Sequence, residues 1–575
     1  MSKINVTEFD NYEQLDLNLI LMEDKRWDYW KFLTEKEDEK TIAEHKNKVR
    51  AIDYSGYINI IEEVYSGLSL EGHNQRIAKN YIKLIILNIA FNYNADKKRY
   101  TGFHLNEKQY NPKSRYNKNQ IGKTIIKIAW AMHKAEFIVL RRGYNNKYNP
   151  EASYNAKLSP TKKLIDLMKK NKLNYNLVTR HPEEETIVVK IKKGKNNVPI
   201  EYEDTEEILS YRKLMVDYNN LLANTHIDVY ARKNDGIKFG KVETPIEISQ
   251  NRKFVRRIFN SPDLSLGGRI YGGFWQQLNS EYRDMITIDG QQTIEIDYSG
   301  MGIALLYDKY KIKRFVGDAY NLSSVGYKHK KYSMEELRPL LKQALIIMVN
   351  AKSYQECINA IRKDVRENDE LPGDVNIEEL ISAFVKRHEP IRHLFYTSQG
   401  GLQQNLDSEV CCNIIAYFMY DYEYKYVPDS EIIHKGNIPV LTIHDSFLIA
   451  QEHEAELKKQ MEGQYRFLLK LKRETKIKTK TEYKEAIKKY GVMDIGFNDE
   501  PLPFNNPAWK VVTQVPPEQR YKIFQADNYW SDRIEDFRHS FGIDRFPNPF
   551  LLPKKPKKYK YKNVWENLFP FLDKN

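Results

Sequence analysis

Cysteine is scarce in this chain, and long apolar runs are missing. The only cysteines among the 575 residues are Cys357, Cys411 and Cys412. Adjacent cysteines do not form an ordinary bridge with each other, so the pattern excludes a disulfide framework and a cysteine-based zinc site. The apolar run LIILNIAF, from Leu84, is too short to span a bilayer, and the first residues, MSKINVTEFDNYEQ, lack a signal-peptide pattern. We therefore expect a soluble, cytoplasmic protein without a membrane partner.

Repeats are missing as well, since no unit of about 20–50 residues recurs, which argues against a solenoid. Hydrophobic residues make up 41% of the chain and the mean hydropathy is -0.67, values typical of a globular protein. The length predicts about three or four domains. Lysine and arginine number 91 against 78 acidic residues, giving a formal charge of +13. This excess favours a polyanionic partner, most commonly nucleic acid.

Tyrosine is frequent, with 40 residues, and it often lies beside lysine, arginine and asparagine, as around Tyr116, Tyr144 and Tyr559. Aromatic rings next to cations can stack on bases while the cations contact phosphates. An A·T-rich genome would produce the same composition without any function. We favour this simpler interpretation for the composition as a whole.

The chain divides into five predicted regions. Residues 1–74 form a helical lead-in without further assignment, and residues 75–175 form a small helix-and-hairpin module. Residues 176–256 contain a hairpin and a helix that act as a connector. The candidate catalytic core is predicted over residues 257–475, and a basic, aromatic arm over residues 476–575.

The 75–175 module has the element order of a winged helix-turn-helix. A helix is predicted from an apolar face formed by Ile121, Ile125, Ile128, Ala129 and Met132. The strand FIVLRR, a Gly/Asn/Pro turn and a returning strand follow, and Pro160 suits the start of the next helix. The basic residues that this interpretation assigns to DNA are Lys123, Lys127, Arg141 and Arg142. Winged helices also serve as dimerisation or packing modules, and the pattern leaves both roles open.

Acidic residues mark two segments of the core. TIEIDYSGMGIALLY reads as a strand that ends at Asp297, followed by a small-residue turn and an apolar helix. VLTIHDSFLIA is an apolar strand interrupted by His444, Asp445 and Ser446, which cost free energy unless they are paired or bound. A hairpin bend there would present Asp445 at its tip. Two carboxylates on neighbouring strands can hold divalent cations, and two such ions support an in-line phosphoryl transfer.

A third segment, RPLLKQALIIMVNAK, predicts a helix with a basic stripe. Pro339 suits the start of this helix. Arg338 and Lys342 lie four residues apart on one face, and the other faces carry Leu340, Leu341, Leu345, Ile346 and Val349. Two cations in one stripe can bind a triphosphate. The alternative is an ordinary solvent-facing basic edge, the usual outcome for a lone Arg/Lys pair at this spacing.

Taken together, these segments resemble the motifs of the single-subunit RNA polymerases of phages and mitochondria and of the related family A DNA polymerases. DYSGMG resembles their motif A, RPLLK the start of their motif B helix, and IHDSF their motif C in the RNA-polymerase form. GGRIYGGFW resembles their Gly-Arg-x-Tyr segment. The resemblance extends over about Arg257 to Glu452, with the motifs in the family's order. It implies an α+β fold with a right-hand palm and fingers core, a thumb-like connector and an N-terminal helical, winged-helix-like region.

The resemblance also implies roles at the reaction centre. Asp297 and Asp445, with the backbone carbonyl of Tyr298, would bind two Mg²⁺ ions, for which Mn²⁺ can substitute. Arg338 and Lys342 would hold the triphosphate, and Lys342 would also protonate the leaving pyrophosphate.

Further implied roles concern the nucleic acid and the sugar. His444 would support the primer end, Arg269 and Tyr271 would contact the duplex, and Gln403 would line the floor of the cleft. Gly302 stands where the DNA-polymerising branch has a glutamate that blocks a ribose 2′-hydroxyl, so ribonucleotides should fit. Ser446 also agrees with the RNA-polymerising branch.

The predicted function is a template-directed nucleotidyltransferase, an RNA polymerase or primase-polymerase of a mobile element such as a phage or plasmid. Its partners would be a DNA template and nucleoside triphosphates, in the cytoplasm of a bacterial or host cell. One alternative is a family A-like DNA polymerase with relaxed sugar selection. Another is a winged-helix replication initiator whose palm does not polymerise. Asn350 and Ala351, which replace the family's Tyr-Gly pair, favour the initiator slightly, although Asn350 could still bond a sugar hydroxyl. The oligomeric state is left open.

Overall fold

The structure is a computed structural model of the chain. With short gaps, it describes residues 12–21, 55–144, 154–229, 252–473 and 509–511. Most of the predicted C-terminal arm therefore lies outside the described residues. Helices and strands are mixed along the chain, which confirms the coarse α+β prediction. None of the helices in these ranges combines the length and the apolar content that crossing a bilayer requires.

The helices of the described ranges are α1 (Ser55–Ser66), α2 (Gln75–Ala95), α3 (Thr124–Lys134), α4 (Lys162–Lys170), α5 (Glu206–Asn224), α6 (Ser280–Arg283), α7 (Met301–Lys309), α8 (Met334–Asn350), α9 (Tyr354–Glu367), α10 (Ile377–Arg387), α11 (Gly400–Met419) and α12 (Glu454–Arg473). The strands are β1 (Tyr12–Gln14), β2 (Leu19–Leu21), β3 (Tyr100–Phe103), β4 (Ile138–Arg141), β5 (Ala156–Pro160), β6 (Val178–Arg180), β7 (Ile187–Lys193), β8 (Asn196–Pro199), β9 (Ile227–Val229), β10 (Arg256–Phe259), β11 (Gly267–Tyr271), β12 (Ile286–Ile288), β13 (Gln291–Tyr298), β14 (Tyr422–Val427), β15 (Ser430–His434), β16 (Leu441–Ile443), β17 (Ser446–Ala450) and β18 (Trp509–Val511).

The N-terminal region packs helices α1 to α4 around one apolar core beside a sheet in the order β1-β3-β5-β4. The lead-in that the sequence predicts as helical also supplies two short strands, β1 and β2. Strand β5 lies antiparallel to both β3 and β4, so β4 and β5 form the predicted hairpin. The predicted apolar face of α3 is wholly buried at Ile125, Ile128, Ala129 and Met132.

Two helix starts in this region differ from the prediction. Helix α3 begins at Thr124, so the buried Ile121 precedes it instead of lying on its first turn. Pro160 is the last residue of β5 and does not start α4. Thr161 caps α4, because its hydroxyl accepts a hydrogen bond from the backbone N–H of Leu164. The side-chain cap, which proline cannot provide, fixes the helix start.

The connector and the core share a second apolar cluster, which runs from Ile187 to Leu469. The predicted β7–β8 hairpin is present, and β7 continues into a sheet with the order β11-β10-β7-β8. A second sheet has the order β16-β17-β13-β12-β9, with its neighbouring pairs antiparallel. Helix α11 packs against both α5 and α12 in the same region and is almost wholly buried. Strand β18 pairs antiparallel with the end of β13, its Lys510 opposite Asp297.

A third apolar cluster joins α7 to helices α8, α9 and α10. The sequence predicted that helix α8 starts at Pro339. The helix begins five residues earlier, at Met334. The start is fixed by a capping box, in which the Ser333 side chain accepts from the N–H of Glu336 and the Glu336 side chain accepts from the N–H of Ser333. Pro339 lies at an exposed position in the second turn, where solvent can satisfy the carbonyl that it leaves without a partner.

Candidate active site

Asp297 and Asp445 lie at the same end of two neighbouring strands. Asp297 is the penultimate residue of β13, and it pairs with Ser446, the first residue of β17. His444 and Asp445 form the two-residue turn between β16 and β17, as the interrupted apolar run predicted. The carbonyl of Asp445 accepts a 3.4 Å hydrogen bond from the backbone N–H of Tyr298. Strand pairing therefore brings together two acidic residues that are far apart in the sequence.

The turn itself is strained at its first position. His444 has φ +59, the left-handed region that residues with a Cβ rarely adopt. Ile443 and Ser446 pair directly, so the turn has no spare residue to relieve this conformation. Such strain costs roughly 1–3 kcal/mol and is common at functional sites.

An ion pair lies beside this turn. The Nε of Arg269, on β11, donates a 3.0 Å hydrogen bond to Oδ2 of Asp407, which is buried on α11. The pKa of Asp407 is raised to about 6. Burial is the main cause of this rise and the charge of Asp445 contributes to it, against the lowering effect of Arg269. The charges of Asp407 and Asp445 both raise the pKa of Arg269, against the effect of its burial. The site thus contains a third carboxylate and a guanidinium close to Asp445.

The imidazole of His444 is held neutral. Burial lowers its pKa, Arg269 lowers it further, and Asp445 acts in the opposite direction. Its ring meets the ring of Tyr271 edge to face at 5.4 Å. Its Nδ1 is a buried atom with no hydrogen-bond partner among the described residues. An uncharged, unsatisfied ring nitrogen is therefore available at the tip of the hairpin.

A second buried acid, Glu295, supports β13 behind the site. It lies two residues before Asp297, hence on the same side of the strand. Its Oε1 accepts a 2.8 Å hydrogen bond from the hydroxyl of Ser446, and its Oε2 accepts a 3.0 Å bond from Arg283. The sequence analysis missed Glu295 and treated Ser446 only as a family marker. The alternation in TIEID was the signal that could have identified it.

The donor set fits a cation that keeps part of its water shell. Asp297 and Asp445 are both half-buried. Asp407 and Glu295 form ion pairs with Arg269 and Arg283. The hydroxyl of Tyr298 is buried and donates to the carbonyl of Met461, so only its backbone carbonyl can serve as the predicted ligand. Across the described residues there is no cluster of three or more His, Cys, Asp or Glu side chains suited to a metal. Two carboxylates with water and phosphate oxygens suit Mg²⁺, which dehydrates reluctantly.

Helix α8 presents its basic stripe on the face that the apolar cluster leaves uncovered. The stripe consists of Arg338, Lys342, Ile346 and Asn350, spaced four residues apart, and all but the half-buried Arg338 are exposed. Ile346, which the sequence analysis assigned to a packed face, is 58% exposed. Its spacing from Lys342 explains this, since residues four apart share a face.

Tyr320 links this stripe to the carboxylates. The guanidinium of Arg338 lies 5.0 Å from the ring centroid of Tyr320 and its Nε donates to Asp318 at 3.2 Å. Burial raises the pKa of Tyr320 to about 12; Arg338 lowers it, and Asp318 and Asp445 raise it. The charges of Arg338 and Asp445 therefore act in opposite directions on the pKa of the same buried phenol.

Gly302 faces open space in the first turn of α7. A Cβ built at this glycine would meet no atom within 4 Å. Its carbonyl accepts a 2.6 Å hydrogen bond from Nε2 of Gln403, so the two predicted residues are neighbours. Gly302 therefore borders open space in the fold.

Asn350, at the end of the stripe, contacts the start of α11. Its Nδ2 donates a 2.8 Å hydrogen bond to the carbonyl of Ile346. A Cβ on Gly400 would lie 1.9 Å from its Oδ1, so a larger residue there would require the Asn350 amide to move. The amide of Asn350 is thus partly engaged by its own helix.

No protein-family model matches this sequence, and no curated protein matches it. The resemblance to polymerases therefore depends on its short motifs and on the residues that surround them. Among those residues are Asp407 and Tyr320. Neither carries a local sequence signal, because each acquires its partners from distant segments.

The basic residues predicted to contact DNA form a separate group in the N-terminal region. Lys123 precedes α3 and pairs with Glu107 at 3.0 Å, and Lys127 is exposed one turn later. The guanidinium of Arg141 lies 5.5 Å from the ring of Tyr100, and that of Arg142 lies 5.3 Å from the ring of Trp130. All four cations are exposed, as an interface with a polyanion requires.

Proposed function

We propose that the chain is a template-directed nucleotidyltransferase of the single-subunit RNA polymerase type, with a palm and fingers core over about residues 257–473. One observation carries the proposal: pairing of β13 with β17 sets Asp297 beside Asp445 at one end of a sheet. The unsatisfied Nδ1 of His444 beside them and the link through Tyr320 to Arg338 support it.

In this proposal each side chain has a distinct task. Asp297 and Asp445 would hold two Mg²⁺ ions, which would supply Lewis-acid activation of a 3′-hydroxyl and charge neutralisation at the α-phosphate. Arg338 and Lys342 bind the triphosphate, and Lys342 delivers a proton to the leaving pyrophosphate. Neutral His444 positions the primer end by hydrogen bonding, without adding a charge that would repel the metals.

The nucleic acid and the sugar are bound by neighbouring groups. Arg269 contacts the duplex. Before the duplex binds, Asp407 holds the guanidinium of Arg269 in place. Gly302 leaves space for a ribose 2′-hydroxyl, which favours an RNA product. Gln403 contacts Gly302 and lines the floor of the same cleft.

The N-terminal region is proposed to bind duplex DNA as a winged-helix-like module. Helix α3 is followed directly by the β4–β5 hairpin, the order in which such a module presents a recognition helix and a wing. Lys123 and Lys127 lie at the start of this helix, and Arg141 and Arg142 at the start of the hairpin loop. This arrangement suits replication or transcription of a mobile element in a cell's cytoplasm.

A second candidate is a replication initiator whose palm does not polymerise. Asn350 favours it, because a short amide that bonds to its own helix cannot stack on a base as an aromatic ring would. Sequence-specific duplex binding without any nucleotide incorporation would support this candidate.

Primer extension with labelled rNTPs or dNTPs, in Mg²⁺ and then in Mn²⁺, tests the proposal. We expect wild-type protein to extend a primed DNA template and both Asp297→Asn and Asp445→Asn to lose at least about 100-fold in rate, because each removes a metal ligand without changing the side-chain volume. The matched control is Asp374→Asn, an exposed aspartate that pairs only with Lys331 on the surface.

The control variant should retain wild-type rates. Incorporation that survives Asp445→Asn would exclude the assignment, since the activity would then come from another site or a contaminant. Equal loss in the Asp374→Asn control would show that the assay reports folding instead of chemistry.

A further inference from the structure

Tyrosine rings and cations alternate along one face of the N-terminal sheet. Arg141 on β4 pairs with Lys157 on β5, and Lys157 also pairs with Gly102 on β3. Residues paired directly across strands lie on the same face of a sheet. The preceding and following residues of these strands, Leu140 and Leu158, are buried in the apolar core. Because successive residues of a strand point to opposite faces, Arg141 and Lys157 lie on the face away from this core.

Each residue of this group contacts the next. The guanidinium carbon of Arg141 lies 5.5 Å from the ring centroid of Tyr100, and its Nη1 donates a 3.3 Å hydrogen bond to the Tyr100 hydroxyl. The Nζ of Lys157 lies 5.7 Å from the ring centroid of Tyr100 and 5.6 Å from that of Tyr154. The ring centroids of Tyr154 and Tyr144 are 6.1 Å apart. We call these five residues the tyrosine row.

The rings at one end of the tyrosine row are accessible to a ligand. Tyr144 is 51% exposed and Tyr154 is 37% exposed, whereas Tyr100 is half-buried. Two backbone hydrogen bonds, of 2.9 Å and 2.8 Å, join Tyr144 and Tyr154 to each other. Lys157 is almost wholly buried, so it orders the neighbouring rings by cation–π attraction instead of contacting a ligand. Tyrosines held in this way offer a large contact area at a low cost in conformational entropy.

Arg141 gives the tyrosine row a positive charge that a ligand can reach. Its side chain is exposed, and it forms no ion pair with any carboxylate in the part of the chain that the structure describes. A guanidinium that bonds to a phenol and not to an acid can still bind a phosphate. An A·T-rich genome explains the number of tyrosines in the chain, but it does not explain their alignment with cations on one face.

We propose that the tyrosine row binds an unpaired strand of DNA, with bases stacked on Tyr144 and Tyr154 and a phosphate bound by Arg141. In an intact duplex each base is covered by its neighbours, so exposed rings favour a strand whose bases are free. The choice of DNA rests on the proposed function, in which the template is DNA. The inference deepens that function, because the hairpin contacts the unpaired strand beside a duplex held by Lys123 and Lys127.

Photocrosslinking of the full chain in EDTA locates the bases without any catalytic step. The probe is a single DNA strand in which iodouracil replaces thymine, because excited iodouracil couples to an aromatic ring stacked on it. Mass spectrometry of the digested protein should find the crosslink on Tyr144 or Tyr154. The matched control ring is Tyr354 on α9, which is 45% exposed and should carry no crosslink. Crosslinks confined to residues outside the tyrosine row would overturn the inference.

Fluorescence anisotropy of the unmodified strand measures what each side chain contributes. Tyr144→Leu removes the ring and should weaken binding at least about fivefold, whereas Tyr144→Phe keeps the ring and should stay within about twofold of wild type. Arg141→Gln should reduce the slope of log K against log salt by about 0.7, the value for one phosphate contact on a single strand. Equal affinities of Tyr144→Leu and Tyr144→Phe, or an unchanged slope for Arg141→Gln, would refute the assigned contacts.

The same assay with other nucleic acids separates this inference from the proposed function. Duplex DNA of the same sequence should be weakened by Lys127→Gln but changed less than about twofold by Tyr144→Leu, because its bases cannot reach the ring. Equal weakening of duplex and single strand by Tyr144→Leu, or tighter binding of an RNA strand of the same sequence, would overturn the inference. A chain that binds the single strand through Tyr144 but incorporates no nucleotide would support it and contradict the proposed transfer reaction.

Discussion

The Arg257→Met substitution should strongly destabilise the candidate core, because Arg257 is wholly buried and its Nε and Nη2 are hydrogen-bonded. Its Nε donates a 2.8 Å hydrogen bond to the carbonyl of Gly268, and its Nη2 donates to Ser408 at 3.1 Å and to Glu409 at 2.6 Å. Its guanidinium also lies 4.0 Å from the ring of Tyr211. These contacts join β10 to β11 and to α11, which carry Arg269 and Asp407.

The expected loss follows from what the substitution leaves behind. Methionine fills most of the volume but leaves the carboxylate of Glu409, which is 6% exposed, without its cation. Breaking a buried ion pair in this way costs about 3–5 kcal/mol. For a unit of this size that corresponds to a fall in melting temperature of roughly 6–20 °C.

A double-mutant cycle identifies the cause. Glu409→Gln removes the charge but keeps an acceptor for the hydroxyl of Tyr211, which lies 3.0 Å from Glu409. Combining it with Arg257→Met should recover at least about 1–2 kcal/mol relative to the sum of the single effects, since the uncompensated charge is gone. Thermal unfolding followed by circular dichroism measures each variant. A loss below about 1 kcal/mol for Arg257→Met, or strict additivity in the cycle, would refute the reasoning.

Two further predictions concern the site. Gly302→Glu should fold normally, because its Cβ meets no atom within 4 Å, and should reduce rNTP use relative to dNTP use by at least about tenfold. Gly373→Glu, at an equally open glycine, is the control, and an unchanged sugar preference in both would contradict the role of Gly302. Asp407 has a folded-state pKa of about 6, above its ordinary 3.8, so the folded protein keeps a proton that the unfolded chain releases. The free energy of unfolding should therefore fall as the pH rises from about 4 to 6. Up to about 3 kcal/mol of this decrease comes from Asp407 and should be missing in Asp407→Asn. If the melting temperatures of the wild-type protein and of Asp407→Asn change with pH in the same way across this range, Asp407 does not titrate there.

The sequence allowed the hairpin at Asp445 to be predicted because three polar residues interrupt an apolar run, a pattern with a local cause. The apolar face of α3 and the β7–β8 hairpin were predictable for the same reason. The start of α8 was misjudged because Pro339 received more weight than the capping box of Ser333 and Glu336. A capping box satisfies two backbone N–H donors at the helix start. A proline is only tolerated in the first turn and supplies no such hydrogen bond.

Other features had no local signal. Asp407 becomes a buried acid only because Arg269 approaches it in the folded chain. His388 is wholly buried, and burial lowers its pKa to about 4. The strand at Trp509–Val511 joins β13 across a long stretch of sequence. Partners so distant along the chain leave no periodicity for sequence reasoning to detect.

Binding of Mn²⁺ to the full chain, followed by electron paramagnetic resonance, tests most directly whether Asp297 and Asp445 share a metal site. We predict that Asp297→Asn and Asp445→Asn each weaken Mn²⁺ binding at least about tenfold, and that the double variant is little weaker than either single one, because both remove ligands of the same site. The surface variant Asp374→Asn should leave the binding curve unchanged. An unaltered curve for either single variant, or losses that add as for two independent sites, would contradict a shared centre.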